Sequence, residues 1–188
     1  LKQLLNEAEV GYYSTAVSLC NTWVFLLTAI IDSLYPVILQ SFNNKELFER
    51  KNKQLYSIVF YISVSVSILF SVLATPVVRI LYGKAYIAAA APLRIITWYT
   101  AFSYLGVARN AWIVSYNKQN YLKYLYIGAA VTNVVLNVIM IPLWGASGAA
   151  FASLLTQIST ILVFPALIKD LRPNVKLMVD AILLRKVF

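Results

Sequence analysis

Apolar residues run almost unbroken through five stretches of this chain, at about 13–39, 55–80, 92–116, 121–143 and 146–168. The charges inside them are Asp32, Arg94 and Arg109, with Arg79 and Lys123 at their rims. Hydrocarbon accepts only backbone that satisfies its own hydrogen bonds, so each stretch is expected to be a membrane-spanning α-helix. At ~1.5 Å per residue, each is long enough to cross roughly 30 Å of lipid. The pattern predicts an all-α, polytopic transmembrane helical bundle of about five spans over residues 13–168. An external lead-in (1–12) precedes it and a cytoplasmic tail (169–188) follows.

Composition sharpens this. Hydrophobic residues make up 61% and charged residues 12%, against about 25% charged in an average soluble domain. A soluble helical protein of this length needs far more polar helix surface. The net charge of +9 would point to nucleic acid in a soluble domain. Here most basic residues sit in the short connections, where membrane topology puts them, and no nucleic-acid partner is expected. The single cysteine, Cys20, lies inside the first span as a small packing residue. The chain starts at Leu1 without a signal-peptide pattern, so the sequence is expected to be a fragment that lacks earlier spans.

The basic residues orient the bundle. The first connection carries Lys45, Arg50, Lys51 and Lys53; the third carries Lys118 and Lys123; the tail carries Lys169, Arg172, Lys176, Arg185 and Lys186. Against these eleven, the opposite side has Lys2, Arg79 and Lys84. The positive-inside rule places the tail in the cytoplasm and Leu1 outside. Residues 41–54 mix Phe42, Leu47 and Phe48 with charges, which fits either a short interfacial helix or a solvated turn. Pro36, inside the first span, is expected to kink it.

Several local sequences go beyond generic membrane helix. The entrance Glu9-Val10-Gly11-Tyr12-Tyr13-Ser14-Thr15-Ala16 leads to Ser33-Leu34-Tyr35-Pro36. Then come Leu81-Tyr82-Gly83-Lys84-Ala85-Tyr86 and Ala91-Pro92-Leu93-Arg94-Ile95. Asn133 and Asn137 precede Ile141-Pro142-Leu143-Trp144-Gly145, and Gly148-Ala149-Ala150-Phe151-Ala152-Ser153 opens the last span. In this order the set resembles the C-terminal half of the polysaccharide biosynthesis (O-antigen or repeat-unit flippase) family, within the multidrug/oligosaccharidyl-lipid/polysaccharide exporter superfamily. The resemblance reaches about Lys169 and departs at Lys84-Ala85, where relatives often carry an acidic residue. It implies the C-terminal lobe of a two-lobe, twelve-span transporter in the bacterial inner membrane, dependent on an N-terminal lobe. It also implies a cargo: a sugar repeat unit on undecaprenyl pyrophosphate, moved by alternating access.

Asn133 and Asn137, four apart, share a helix face and are expected to bond across helices. Gly145 and Gly148 flank a tight turn after Pro142, and Gly148, Ala149, Ala152 and Ser153 allow close helix approach. Charges within spans are functional candidates. Arg109 and Arg94 suit an anionic head group, because a planar guanidinium donates to two oxygens at once. Arg94, in the first turn of its span, equally suits snorkelling to the outer interface. Asp32 and Arg109 lie at similar depth, so an ion pair between them is expected. Trp98, Tyr99 and Trp112 are candidates for stacking on sugar, beside belt and packing roles for the other aromatics.

Catalysis has little support. Histidine is absent, and no Gly-x-Ser-x-Gly, His-Glu-x-x-His or Walker-type sequence occurs. No cofactor or metal is expected. Two competing readings are a membrane-embedded polysaccharide polymerase or ligase, and a cation-coupled multidrug exporter. The first normally needs a large external loop, and the second intramembrane carboxylates, of which only Asp32 is present.

Overall fold

The structure, a computed structural model, describes residues 6–185 and 187; Leu1, Lys2 and Lys186 lie outside the described residues. Every regular element among the described residues is helical. The elements are α1 (Glu7–Asn21), α2 (Val24–Gln40), α3 (Lys45–Tyr82), α4 (Ala90–Ala108), α5 (Asn110–Ser115), α6 (Leu122–Ile158), α7 (Phe164–Leu167) and α8 (Arg172–Ile182). By length and apolar composition, Lys45–Tyr82 and the segment Gln119–Leu167 are each able to cross a membrane. The bent pair α1–α2 makes a third.

Folding back divides the longest segment. Gly145 takes φ 56° and ψ −133° within α6. A Cβ on Gly148 would sit 2.6 Å from the Met140 carbonyl carbon, whereas residues eight apart in one helix are separated by ~12 Å. Asn133 Nδ2 donates to Thr156 Oγ1 at 3.3 Å, and Gly128 lies against the Phe164 ring. These pairings run antiparallel about Gly145. The segment is therefore a helical hairpin, with the turn where Pro142, Gly145 and Gly148 predict it. Likewise α4 and α5 form one rod, because Arg109 N and Ile113 N keep the helical ladder through the junction, each at 3.0 Å. Five rods result, at the five places the hydropathy pattern puts them.

The first rod breaks at an unexpected place. Pro36 leaves α2 continuous, and the 41° bend lies between α1 and α2. There Thr22 turns back on Leu19, its Oγ1 donating to the Leu19 carbonyl at 2.7 Å. The amphipathic segment 41–54 is neither a separate interfacial helix nor a solvated turn. Asn44 caps α3, accepting from Leu47 N at 3.1 Å, and the charged residues form its first turns. At 38 residues, α3 is ~57 Å long and reaches beyond the hydrocarbon at its basic end. α1 starts at Glu7, within the residues expected to be a lead-in.

α4 sits at the centre, touching α1, α2, α3 and α6. One apolar core, around Phe48, Leu55, Trp112 and Met178, lies at the basic end. A second, rich in small residues such as Ala16, Ala74 and Ala150, lies at the other end. Outside these cores the apolar side chains face outward: Val131, Val134, Val138 and Leu143 on α6, and Val72 and Ile80 on α3, are all more than half exposed. A surface of this kind is stable in lipid and not in water. The protein is a membrane protein.

The basic segments meet at one end, as the charge count requires. Phe42 packs on Tyr116 at 5.2 Å, Lys118 pairs with Asp170 at 2.6 Å and Lys53 with Asp180 at 3.4 Å. The tail folds as α8, with Leu177, Met178 and Ala181 buried. Ser57 and Tyr61 of α3 donate to the carbonyls of Ala181 and Ile182. Glu9, Tyr12, Tyr86 and Gly145 gather at the opposite end.

Candidate binding cavity

Polar residues that break the apolar runs of α1, α4 and both arms of the hairpin converge on one seam. Its larger chamber, about 490 Å³, is lined by Tyr13, Asn21, Tyr99, Asn133, Thr156 and Gln157, among others. A second chamber of about 350 Å³ includes Ser103, Arg109, Asn110, Tyr126 and Thr160. Tyr99, Ala129 and Gln157 line both, so the chambers adjoin. Both volumes fall within the range of ligand pockets, roughly 300–1,000 Å³.

Two local irregularities border this seam. The α1–α2 break follows Asn21, a lining residue. In the fifth rod, Ser159–Val163 is π-helical, and Thr160 and Ile161 line the smaller chamber. Broken membrane helices occur where backbone lines a cavity, and single π-turns are frequent at functional sites. Gly106 lets the rods approach here: a Cβ on it would meet Ile161 Cδ1 at 2.6 Å.

Arg109 is the charged group of the seam. It is 2% exposed. Its Nε and Nη1 have no hydrogen-bond partner among the described residues. A buried, unpaired charge costs several kcal/mol unless an opposite charge or a hydrogen-bond acceptor reaches it. Neither chamber has an acidic lining residue. The site is therefore electropositive and able to receive an anion.

The other residues singled out from sequence lie elsewhere. Asp32 is exposed on α2 and lines neither chamber. The expected Asp32–Arg109 ion pair does not form; the ion pairs among the described residues are Lys53–Asp180 and Lys118–Asp170. Equal depth along two helices fixes height but not facing: Asp32 is exposed, whereas Arg109 is buried. Arg94 is exposed, and its Nη2 donates to Thr75 Oγ1 on α3 at 3.1 Å. Trp98 donates its indole N–H to Ser71 Oγ at 3.2 Å, also on α3. Trp112 is buried against Tyr116, with ring centroids 4.7 Å apart. Of the aromatic candidates only Tyr99 reaches the seam.

Tyr13, Asn21 and Gln157 were not singled out, although amides inside apolar runs were a visible signal. Asn133 acts as expected and donates across the hairpin to Thr156, whereas Asn137 bonds within its own arm, its Nδ2 donating to Asn133 Oδ1 at 2.8 Å. Tyr13 and Ser153 share a 3.2 Å hydrogen bond between α1 and the second arm. Glu9, counted among residues outside the spans, accepts from Ala146 N at 2.7 Å and so ties α1 to the hairpin turn.

Residues 2–91 match the profile of the family described as "Polysaccharide biosynthesis protein", consistent with the resemblance read from the motifs. The match covers α1 to α3 and the first residues of α4, and stops short of Arg109. No curated protein matches the chain, and no solved structure does.

Proposed function

We propose that this membrane protein of polysaccharide biosynthesis forms one lobe of a transporter that moves a lipid-linked oligosaccharide across the bilayer, without making or breaking its bonds. The observation that carries this reading is Arg109, a buried guanidinium with two unpartnered nitrogens beside a polar intramembrane cavity. A diphosphate offers acceptor oxygens at the spacing a guanidinium fork donates to. The resemblance implies undecaprenyl pyrophosphate as the carrier, and the family match to residues 2–91 supports a place in polysaccharide synthesis. Broken helices beside a polar cavity fit alternating access, in which two lobes rock about a fixed site. The membrane would be the bacterial inner membrane, with the tail cytoplasmic, as the segregation of basic segments favours.

The test is transport by the full-length protein in proteoliposomes. Wild type is expected to carry a lipid-linked oligosaccharide from one leaflet to the other. Arg109→Ala is expected to slow this at least tenfold, the loss of about 1.4 kcal/mol or more, with membrane insertion unchanged. Arg109→Lys restores charge without the planar fork and is expected to recover only part of the rate. Unchanged transport by Arg109→Ala removes Arg109 from the site. Glycosyl transfer without transport favours the polymerase or ligase reading instead.

A further inference from the structure

The larger chamber differs in chemistry from the smaller one, and the difference is informative. No charged residue lines it. Its polar groups are amides and hydroxyls, with the rings of Tyr13 and Tyr99 among them. Part of that polar capacity is spent internally: Asn133, Thr156, Ser153 and Thr100 bond to protein atoms. Among the described residues, the side chains of Asn21, Gln157 and Tyr99 have no such partner, and all three line the chamber. Polar groups in hydrocarbon are costly unless they meet something polar.

We infer that the larger chamber, bounded by Asn21, Tyr99 and Gln157, is a neutral carbohydrate subsite, adjoining the anion site at Arg109. A sugar hydroxyl both donates and accepts, and so does a carboxamide. Sugar rings carry apolar C–H faces, which a tyrosine ring covers while its hydroxyl hydrogen-bonds. The volume of about 490 Å³ is in the range for a small glycan segment. Tyr99 and Gln157 line both chambers, so one ligand with an anionic end and a neutral polyhydroxyl end would span the seam. This inference rests on the transport reading above and deepens it. It assigns the anion to one chamber and the first sugars to the other.

The experiment compares two probes on the full-length protein in nanodiscs. One is a polyprenyl diphosphate carrying a neutral hexose tetrasaccharide; the other is the same polyprenyl diphosphate without sugar. Wild type is expected to bind the glycosylated probe more tightly. Asn21→Ala and the milder Asn21→Ser, at a residue that lines the larger chamber and not the smaller, should each reduce that preference about two- to tenfold, the worth of one neutral hydrogen bond, and leave binding of the sugar-free probe unchanged. Arg109→Ala should weaken both probes alike. A wild type that binds both probes equally, or variants that keep the full preference, overturns the subsite while leaving the anion site standing. Failure to bind either probe overturns the transport reading, and the subsite with it.

Discussion

Substitution of Gly148 by alanine tests the hairpin and has a magnitude that follows from the geometry. The added methyl group would overlap the Met140 carbonyl oxygen and lie 2.6 Å from its carbon and 3.1 Å from Ile141 N. All three obstacles are backbone atoms of the facing arm, so relief requires the arms to separate. Overpacking costs ~1–3 kcal/mol where side chains can give way, and a fixed backbone places this site at the upper end or beyond. Helix propensity returns about 1 kcal/mol on replacing glycine by alanine. The net loss is expected to be about 2 kcal/mol or more, roughly thirtyfold in the unfolding equilibrium at 1.4 kcal/mol per decade. Gly106→Ala is the control. Its Cβ meets Ile161 Cδ1 at 2.6 Å, the far end of a side chain that can rotate, so cost and propensity gain nearly cancel. Equilibrium unfolding of purified protein in mixed micelles measures both. Equal stability of the two variants would refute the close antiparallel crossing at Gly148.

Other consequences are separate. Glu9→Ala removes the acceptor for Ala146 N–H at the start of the second arm. It should cost about 1 kcal/mol, as other helix N-caps do, in the same unfolding assay. The Lys118–Asp170 link predicts a pH window. Hydrogen bonding to Lys118, then to Tyr121, holds the Asp170 carboxyl below its usual 3.8, and the bond to Asp170 raises Lys118 above its usual 10.5. A depressed acid stabilises above its unfolded value and loses that contribution as pH falls through the folded one. A raised base stabilises below its unfolded value and loses that contribution as pH rises. The thermal-midpoint difference between wild type and Asp170→Asn should therefore hold from pH 5 to pH 9 and vanish in strong acid and strong base. Because the link is open to solvent, with the Lys118 and Asp170 side chains 30% and 45% exposed, it should give only a small difference, and smaller still in high salt.

The five rods and the hairpin turn were legible in the sequence because hydrocarbon imposes one rule over some twenty residues at a time, whereas the starts of α1 at Glu7 and α3 at Lys45 lie outside the apolar stretches. Charge placement was legible for a similar reason. Lys118, Lys53 and the tail meet at one end because connections of alternate spans must. The facing of single residues was not legible. Asp32 and Arg109 share a depth, yet which side of a rod each occupies depends on rotation, and the all-round apolar pattern carries no rotational signal. Trp98 and Arg94 turn to α3 for the same reason, where Ser71 and Thr75 supply partners. Pro36 drew attention as a helix breaker, but the break formed at Thr22, where a side-chain bond to Leu19 competes with the helical ladder. Gln157 and Asn21 were readable as intramembrane amides. Their convergence with Tyr99 needed the bend and the hairpin together.

The most direct measurement of the central idea is photo-crosslinking of a polyprenyl diphosphate with a photoreactive group beside the phosphates, bound to the full-length protein. Mass spectrometry then locates the adducts. The account predicts labelling at residues 106–110 and 157–161, competed by unlabelled lipid and lost in Arg109→Ala. Labelling confined to the outward face at residues 131–143, and unaffected by the Arg109 substitution, would contradict it.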